Sequence, residues 1–183
     1  MRADLALPPD WTRESDEVFY AANDRIRVGA AELDLLKRLA LAAPRRRSRL
    51  CTHRSTSDRL HEMLIVNTQD VYVRAHRHHD KAESFMVLEG LVDVVFFDEG
   101  GTAADVVRMG PLASGRASYC RMNSAQYHTL VFRTPFVVLH ETTGGPWVRE
   151  QTEAAPWAPC DRVSDVREYQ RSLVDLIDRW PAR

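Results

Sequence analysis

The stretch that decides the fold runs His76-Arg-His-His-Asp-Lys-Ala-Glu-Ser-Phe-Met-Val-Leu-Glu-Gly90. In an extended chain successive side chains alternate between faces, so His76 and His78 point the same way and grip one ion side by side. Asp80-Lys81 reads as a turn. Glu83 then opens an apolar run, Phe85–Leu88, that stops at Glu89-Gly90. Antiparallel pairing of the two runs predicts that Glu83 returns to the histidines and adds a carboxylate oxygen. Two imidazoles and a carboxylate suit a borderline divalent ion: iron, zinc, manganese, nickel or cobalt.

Around this stretch the chain alternates short apolar runs with turn residues. The runs are Leu60–Val66, Val71–His78, Glu83–Leu88, Leu91–Phe97, Asp105–Met109, Ser118–Met122, Tyr127–Phe132 and Phe136–Thr142. Asp98-Glu99-Gly100-Gly101 is the clearest tight turn. Evenly spaced strands with no helix between them argue for a sandwich or a closed barrel. Upstream, residues 1–10 read as a loose arm, and Glu17–Tyr20 with Arg25–Val28 reads as a hairpin about Asn23-Asp24. Leu33, Leu36, Leu39 and Ala40 recur at helical spacing over Ala31–Ala43, and Pro44 ends that run. Downstream, the segments around Gly144–Trp147 and Ala155–Pro159 read as irregular. From Ser164 to Trp180 a helix places Val166, Leu173, Leu176, Ile177 and Trp180 on one face, with Asp175 and Arg179 paired at i, i+4. The organisation is thus an N-terminal arm with short strands and a helix (1–44), a barrel (45–160) and a C-terminal helix (161–183), one domain in all.

With 183 residues, 44% hydrophobic and 28% charged, the chain is long enough to bury a proper core. A net charge of −1 argues against nucleic acid or an anionic membrane as partner. No run approaches membrane-spanning length. Three separated cysteines, Cys51, Cys120 and Cys160, form no CxxC pair, which fits reduced thiols in a cytoplasm.

Alternation also singles out Arg47, Arg49, Cys51 and His53, which share one face of a strand while Ser48, Leu50 and Thr52 take the other. That face is either turned to solvent or lines a pocket that holds an anionic substrate, since arginine forks match carboxylate and phosphate. Tyr72 and Arg74 have the parity of His76. They are candidate catalytic residues, Tyr72 as acid or donor and Arg74 as anchor for an anion, although packing and ligand support account for both equally well. Gln126 stands in the same relation to His128 and is a candidate substrate contact.

The pattern His-x-His, four residues, Glu, six residues, Gly resembles the first motif of the cupin superfamily. It departs from it only at the leading glycine, where Asp70 stands. The resemblance implies a second motif with a third histidine, and His128 in Asn123-Ser-Ala-Gln-Tyr-His-Thr129 sits at the right distance. Asn123, Ala125 and Phe132 replace that motif's proline, glycine and asparagine, so His128 is either the third imidazole ligand or a pocket histidine that holds substrate. Several further pieces resemble the WbuC family of cupin-fold metalloproteins: the arginine-rich lead into Cys51-Thr-His53, His61-Glu-Met-Leu-Ile65, Tyr72-Val-Arg-Ala-His-Arg-His78, Lys81-Ala-Glu-Ser84, Tyr127-His-Thr129, Glu141-Thr-Thr-Gly-Gly-Pro146 and Ala155-Pro-Trp-Ala-Pro159. This similarity spans roughly residues 18–160.

The resemblance implies an all-β core, a cupin-type double-stranded β-helix (jelly-roll) barrel, with flanking N- and C-terminal α-helices, and a homodimer. It implies one divalent metal ion on His76, His78, Glu83 and His128. Such a set leaves about two octahedral positions open, the mark of a catalytic site. Fe2+ is favoured over Zn2+, Mn2+, Ni2+ or Co2+. The expected function is a metal-dependent enzyme of the non-haem Fe(II) oxygenase type acting on a small polar or anionic metabolite. The alternatives are a metal-dependent sugar isomerase or epimerase in surface-polysaccharide metabolism and a non-catalytic small-molecule-binding cupin.

Overall fold

The computed structural model describes residues 5–160 and 166–181. The chain starts with β1 (Trp11–Arg13), β2 (Val18–Ala21) and helix α1 (Ala30–Ala42). There follow β3 (Arg47–Cys51), β4 (Leu60–Thr68), β5 (His76–His78), β6 (Glu83–Glu89), β7 (Val92–Phe97) and β8 (Ala103–Met109). Then come β9 (Tyr119–Met122), β10 (Tyr127–Phe132), β11 (Phe136–Gly144), β12 (Thr152–Ala154) and helix α2 (Val166–Arg179). The strands form two sheets, ordered β1-β2-β3-β4-β11-β6-β9 and β12-β5-β10-β7-β8. Sequence neighbours are often not sheet neighbours, because the chain shuttles between the two layers. That is a jelly roll.

Alternation builds the core between the layers. Phe85, Val87 and Leu139 from the first sheet meet Val94, Phe96, Leu130 and Phe132 from the second. β7 is buried at every position. Its Val92, Val94 and Phe96 face the interior, while Val95 and Phe97 pack outward beneath α2, which explains why both faces of the strand are apolar but for one aspartate. That aspartate, Asp93, is buried between Arg116 and Arg133, each at 3.4 Å. Burial pushes its carboxyl up, against the pull of the two arginines.

The helices seal the outer faces. α1 lays Leu36, Leu39 and Ala40 on Phe19, Leu50, Leu64 and Val66. Glu32 accepts the Gly29 N–H at 2.7 Å, which satisfies one orphan donor at the helix start. α2 buries Leu173 and Ile177, and each such side chain is worth about 1.5–3 kcal/mol of burial. Arg108 donates to the carbonyls of Ile177 at 2.8 Å and Trp180 at 2.9 Å, capping the helix end with a cation.

The structure departs from the sequence reading in several places. β2 pairs antiparallel with β1 and parallel with β3, rather than with Arg25–Val28, which forms no strand. Trp11 packs against Phe19 at 6.4 Å, an apolar pairing that the hairpin reading left out. Of the expected strand Val71–His78 only His76–His78 joins a ladder. Upstream of it, Tyr72 and Arg74 bond instead to the main chain of residues 155–159. Arg179 donates to the main-chain carbonyl of Asp175 at 3.0 Å, not to its carboxylate. The expected helix start at Ser164 lies outside the described residues.

Candidate metal centre

His76 on β5 stands directly opposite His128 on β10 in an antiparallel pair, so both imidazoles leave the same face of the sheet. His78, two residues on, shares that face. The three histidines bring one ring nitrogen each to within 4.8 Å of one another. Glu83 arrives by a different route from the expected hairpin. β5 already has β12 on one edge and β10 on the other, which leaves no edge for β6. Asp80, at φ 58°, turns the chain out of the sheet, and β6 begins in the facing layer with Glu83 opposite Thr143 and Met122. The carboxylate then reaches across the interior. Its Oε2 lies 3.5 Å from His78 Nε2 and 3.3 Å from His128 Nε2.

Each ring is aimed by a partner behind it. His76 Nδ1 donates to the Arg74 carbonyl at 2.9 Å and His128 Nδ1 donates to the Gln126 carbonyl at 3.0 Å. A carbonyl only accepts, so the proton sits on Nδ1 and the Nε2 lone pair faces the centre. His78 Nδ1 meets Thr152 Oγ1 at 3.0 Å. Thr152 belongs to β12, a strand in a stretch to which the sequence reading assigned no element. Phe85 and Phe96 border His128, with ring centroids 6.4 and 6.3 Å away, and keep that side dry.

The residues fit a metal ion. His128 Nε2 and Glu83 Oε2 are both buried and have no hydrogen-bond partner. A lone pair facing a carboxylate at 3.3 Å is repulsive, and a cation between them satisfies both. Burial and the neighbouring His128 push His76 down to about 4, so its ring is neutral and available near pH 7. Burial alone would raise Glu83, but with positive charge at the His128 and His78 Nε2 atoms beside it the carboxyl is held below the usual carboxylate range, and a metal ion in that place acts with the same sign.

The centre opens into a cleft of about 1420 Å³ lined by His76, His78 and Glu83, with His128 buried behind them. Arg47, Arg49, Cys51 and His53 all line this cleft, as do Tyr72 and Arg74. Their contacts separate them. Arg47 is committed to Glu17 at 3.0 Å. Cys51 is buried, and burial pushes its thiol up to about 11, which makes it a poor nucleophile. His53 stacks on His61 at 4.1 Å, and burial lowers its basicity. The Tyr72 hydroxyl donates to Pro159 O at 2.7 Å, and Arg74 donates to Ala155 O and Ala158 O at 3.1 Å. Those contacts brace the cleft wall and leave the catalytic reading of both residues without support. Gln126 does not line the cleft. β10 opens only at Tyr127, so strand alternation does not reach it, and it serves His128 through its main-chain carbonyl.

Glu141 was not singled out from the sequence. It lines the cleft, and burial together with the adjacent Glu83 carboxylate pushes it up to about 8. A lone carboxylate in the otherwise uncharged-or-apolar run from Phe136 to Thr143, on the parity of Leu139, was the signal available. Lys81, read as a turn residue, is half-buried and lines the cleft too.

A family model described as a domain of unknown function (DUF6016) matches residues 28–109, which include His76, His78 and Glu83 but not His128. No curated protein sequence matches the chain. Among solved structures, CapF in complex with the inhibitor 3-isopropenyl-tropolone is 14% identical, with a TM-score of 0.51 over 68% of this chain and 40% of CapF. The chain therefore corresponds to well under half of that protein. A Shewanella oneidensis protein matches at 10% identity, TM-score 0.48, over 58% of this chain and 72% of its own. A cupin superfamily protein from Desulfitobacterium hafniense matches at 12% identity, TM-score 0.42, over 54% of this chain and 76% of its own. Likeness at these identities speaks to the fold alone. Two facing sheets, their strand order and the sealing helices make this chain a cupin-type jelly-roll barrel with flanking α-helices.

Proposed function

We propose that the protein is a metal-dependent enzyme that acts on a small anionic metabolite. One divalent ion, Fe2+ by preference, is held by His76, His78, His128 and Glu83. The observation that carries this reading is the convergence of three imidazoles, two of them with the Nε2 lone pair turned inward, and a buried, unpartnered carboxylate oxygen at the head of an open cleft. A structural ion closes its coordination shell with protein, whereas this set leaves room for substrate. Bound there, the ion supplies Lewis acidity and, as iron, access to oxygen chemistry. The chain's own residues hold the site in shape. Arg74 O, Gln126 O and Thr152 fix the ring orientations, and Phe85 and Phe96 exclude water from one side. The resemblance to WbuC-like cupins supports the same assignment. The anionic preference is supported by the cleft wall, where arginine and lysine outnumber aspartate and glutamate.

The test is metal analysis of protein purified without oxygen, followed by oxygen uptake against a panel of small acids. Iron with substrate-dependent uptake is expected. Tightly held zinc with no uptake would remove the oxygenase and leave carbonyl polarisation, as in isomerisation or epimerisation. His76→Ala and Glu83→Ala are each expected to lower metal occupancy at least tenfold while the far-ultraviolet circular dichroism stays that of a folded barrel. Undiminished metal in both variants would refute the ligand assignment.

A further inference from the structure

Most cations along the cleft are already spoken for. Arg45 and Arg47 both pair with Glu17, at 2.6 and 3.0 Å. Arg46 pairs with Asp70 at 3.8 Å, and Arg74 is held by main-chain carbonyls. Arg49 differs. It lines the cleft half-buried, and among the described residues the one hydrogen-bond partner of its guanidinium is the thioether of Met63 at 3.8 Å. A sulfur is a weak acceptor, and Glu141, the carboxyl opposite Met63 in the sheet, forms no ion pair with Arg49 among the described residues, so the planar fork keeps donors free for an incoming anion.

The sheet register says where that fork lies relative to the metal centre. Cys51, Met63, Glu141 and Phe85 are direct cross-strand neighbours on β3, β4, β11 and β6, and all four line the cleft. The Arg49 fork rests on the second place in this row. Glu83 sits on the strand that carries the fourth. Two strand spacings separate those places, roughly 10 Å. The wall near the row includes Met63, Ile65 and Leu139, which suit methylene groups.

We infer that the cleft takes an elongated, doubly anionic small molecule, with one acidic end at the metal centre and a second carboxylate or phosphate on Arg49. This rests on the metal-centre reading above and adds to it the length and charge of the substrate. A monoacid fills the first place and leaves the fork unpaired. A diacid that is too short reaches only one of the two.

The experiment uses the full chain loaded with its metal and calorimetric titration of malonate, glutarate and pimelate, with pentanoate and heptanoate as monoacids of matching length. ω-Phosphonocarboxylates of the same lengths distinguish a phosphate from a carboxylate at the far end. Affinity is expected to rise from malonate to the longer diacids and to exceed that of the matching monoacids at least tenfold. Arg49→Ala is expected to abolish that advantage while metal content and malonate binding stay unchanged. Arg49→Lys, which keeps the charge and loses the fork, is expected to restore part of it. Equal binding of diacids and monoacids, or an advantage that survives Arg49→Ala, overturns the anchor and leaves the metal centre standing. A chain that holds no metal overturns both.

Discussion

Glu153 gathers most of the polar contacts on the outer edge of the second sheet. It accepts two hydrogen bonds from Arg77 at 3.1 Å, one from His79 Nε2 at 2.7 Å and one from the Tyr127 hydroxyl. Arg77 in turn lies over the Tyr127 ring at 4.3 Å. The Tyr127 hydrogen bond, followed by His79, draws the Glu153 carboxyl down to about 2. A folded-state value below the ordinary 4.5 means that this cluster stabilises the fold fully above about pH 4.5 and loses its effect as pH falls toward 2. Glu153→Gln is therefore expected to melt below wild type at pH 7, with the gap closing between pH 4.5 and 2 and narrowing in high salt, because the side chain is partly exposed. Melting curves across that range check it; a gap independent of pH would show that the charge is irrelevant. The arginine face shows what side-chain parity can and does not tell. Alternation put Arg47 and Arg49 on one face correctly, but Glu17 decides which of them is neutralised, and Glu17 is remote in sequence from both.

At the scale of elements, the turn from β6 into β7 depends on Gly90. It adopts φ +82°, and a Cβ there would stand 2.2 Å from the Phe136 carbonyl oxygen. Gly90→Ala is expected to cost on the order of 2 kcal/mol or more, from left-handed backbone strain plus the clash, and chemical denaturation reads it directly. Period-two alternation located most of the other strands to within a residue or two, and the helical spacing of Leu36, Leu39 and Ala40 located α1. The partner of β5 was not legible. The four residues between His78 and Glu83 fit a hairpin and a crossing between layers equally well, and the choice was made by the two strands that already flank β5. β12 was not legible either. Thr152-Glu-Ala154 carries no apolar alternation and becomes a strand because β5 offers it an edge, with Thr152 opposite His78 and Glu153 opposite Arg77.

For the molecule as a whole, the site spans both layers: three imidazoles come from the second sheet and the carboxylate from the first. Metal binding should therefore stabilise the entire barrel rather than one loop. An ion present at a thousandfold over its dissociation constant adds about 4 kcal/mol, and stripping it with a chelator is expected to lower the melting temperature of wild type but not of Glu83→Ala. Equal shifts in the two proteins would place the metal elsewhere.

The split origin of the donors also sets an order of events during synthesis. His76, His78 and Glu83 leave the ribosome early, but His128 follows much later, and the strand that carries it is the one that sets His76 in place. A nascent chain thus offers only a loose, incomplete claw. On the metal-centre proposal, tight capture waits until the second layer has zipped and closed over the first, so the finished barrel would select the ion that stays.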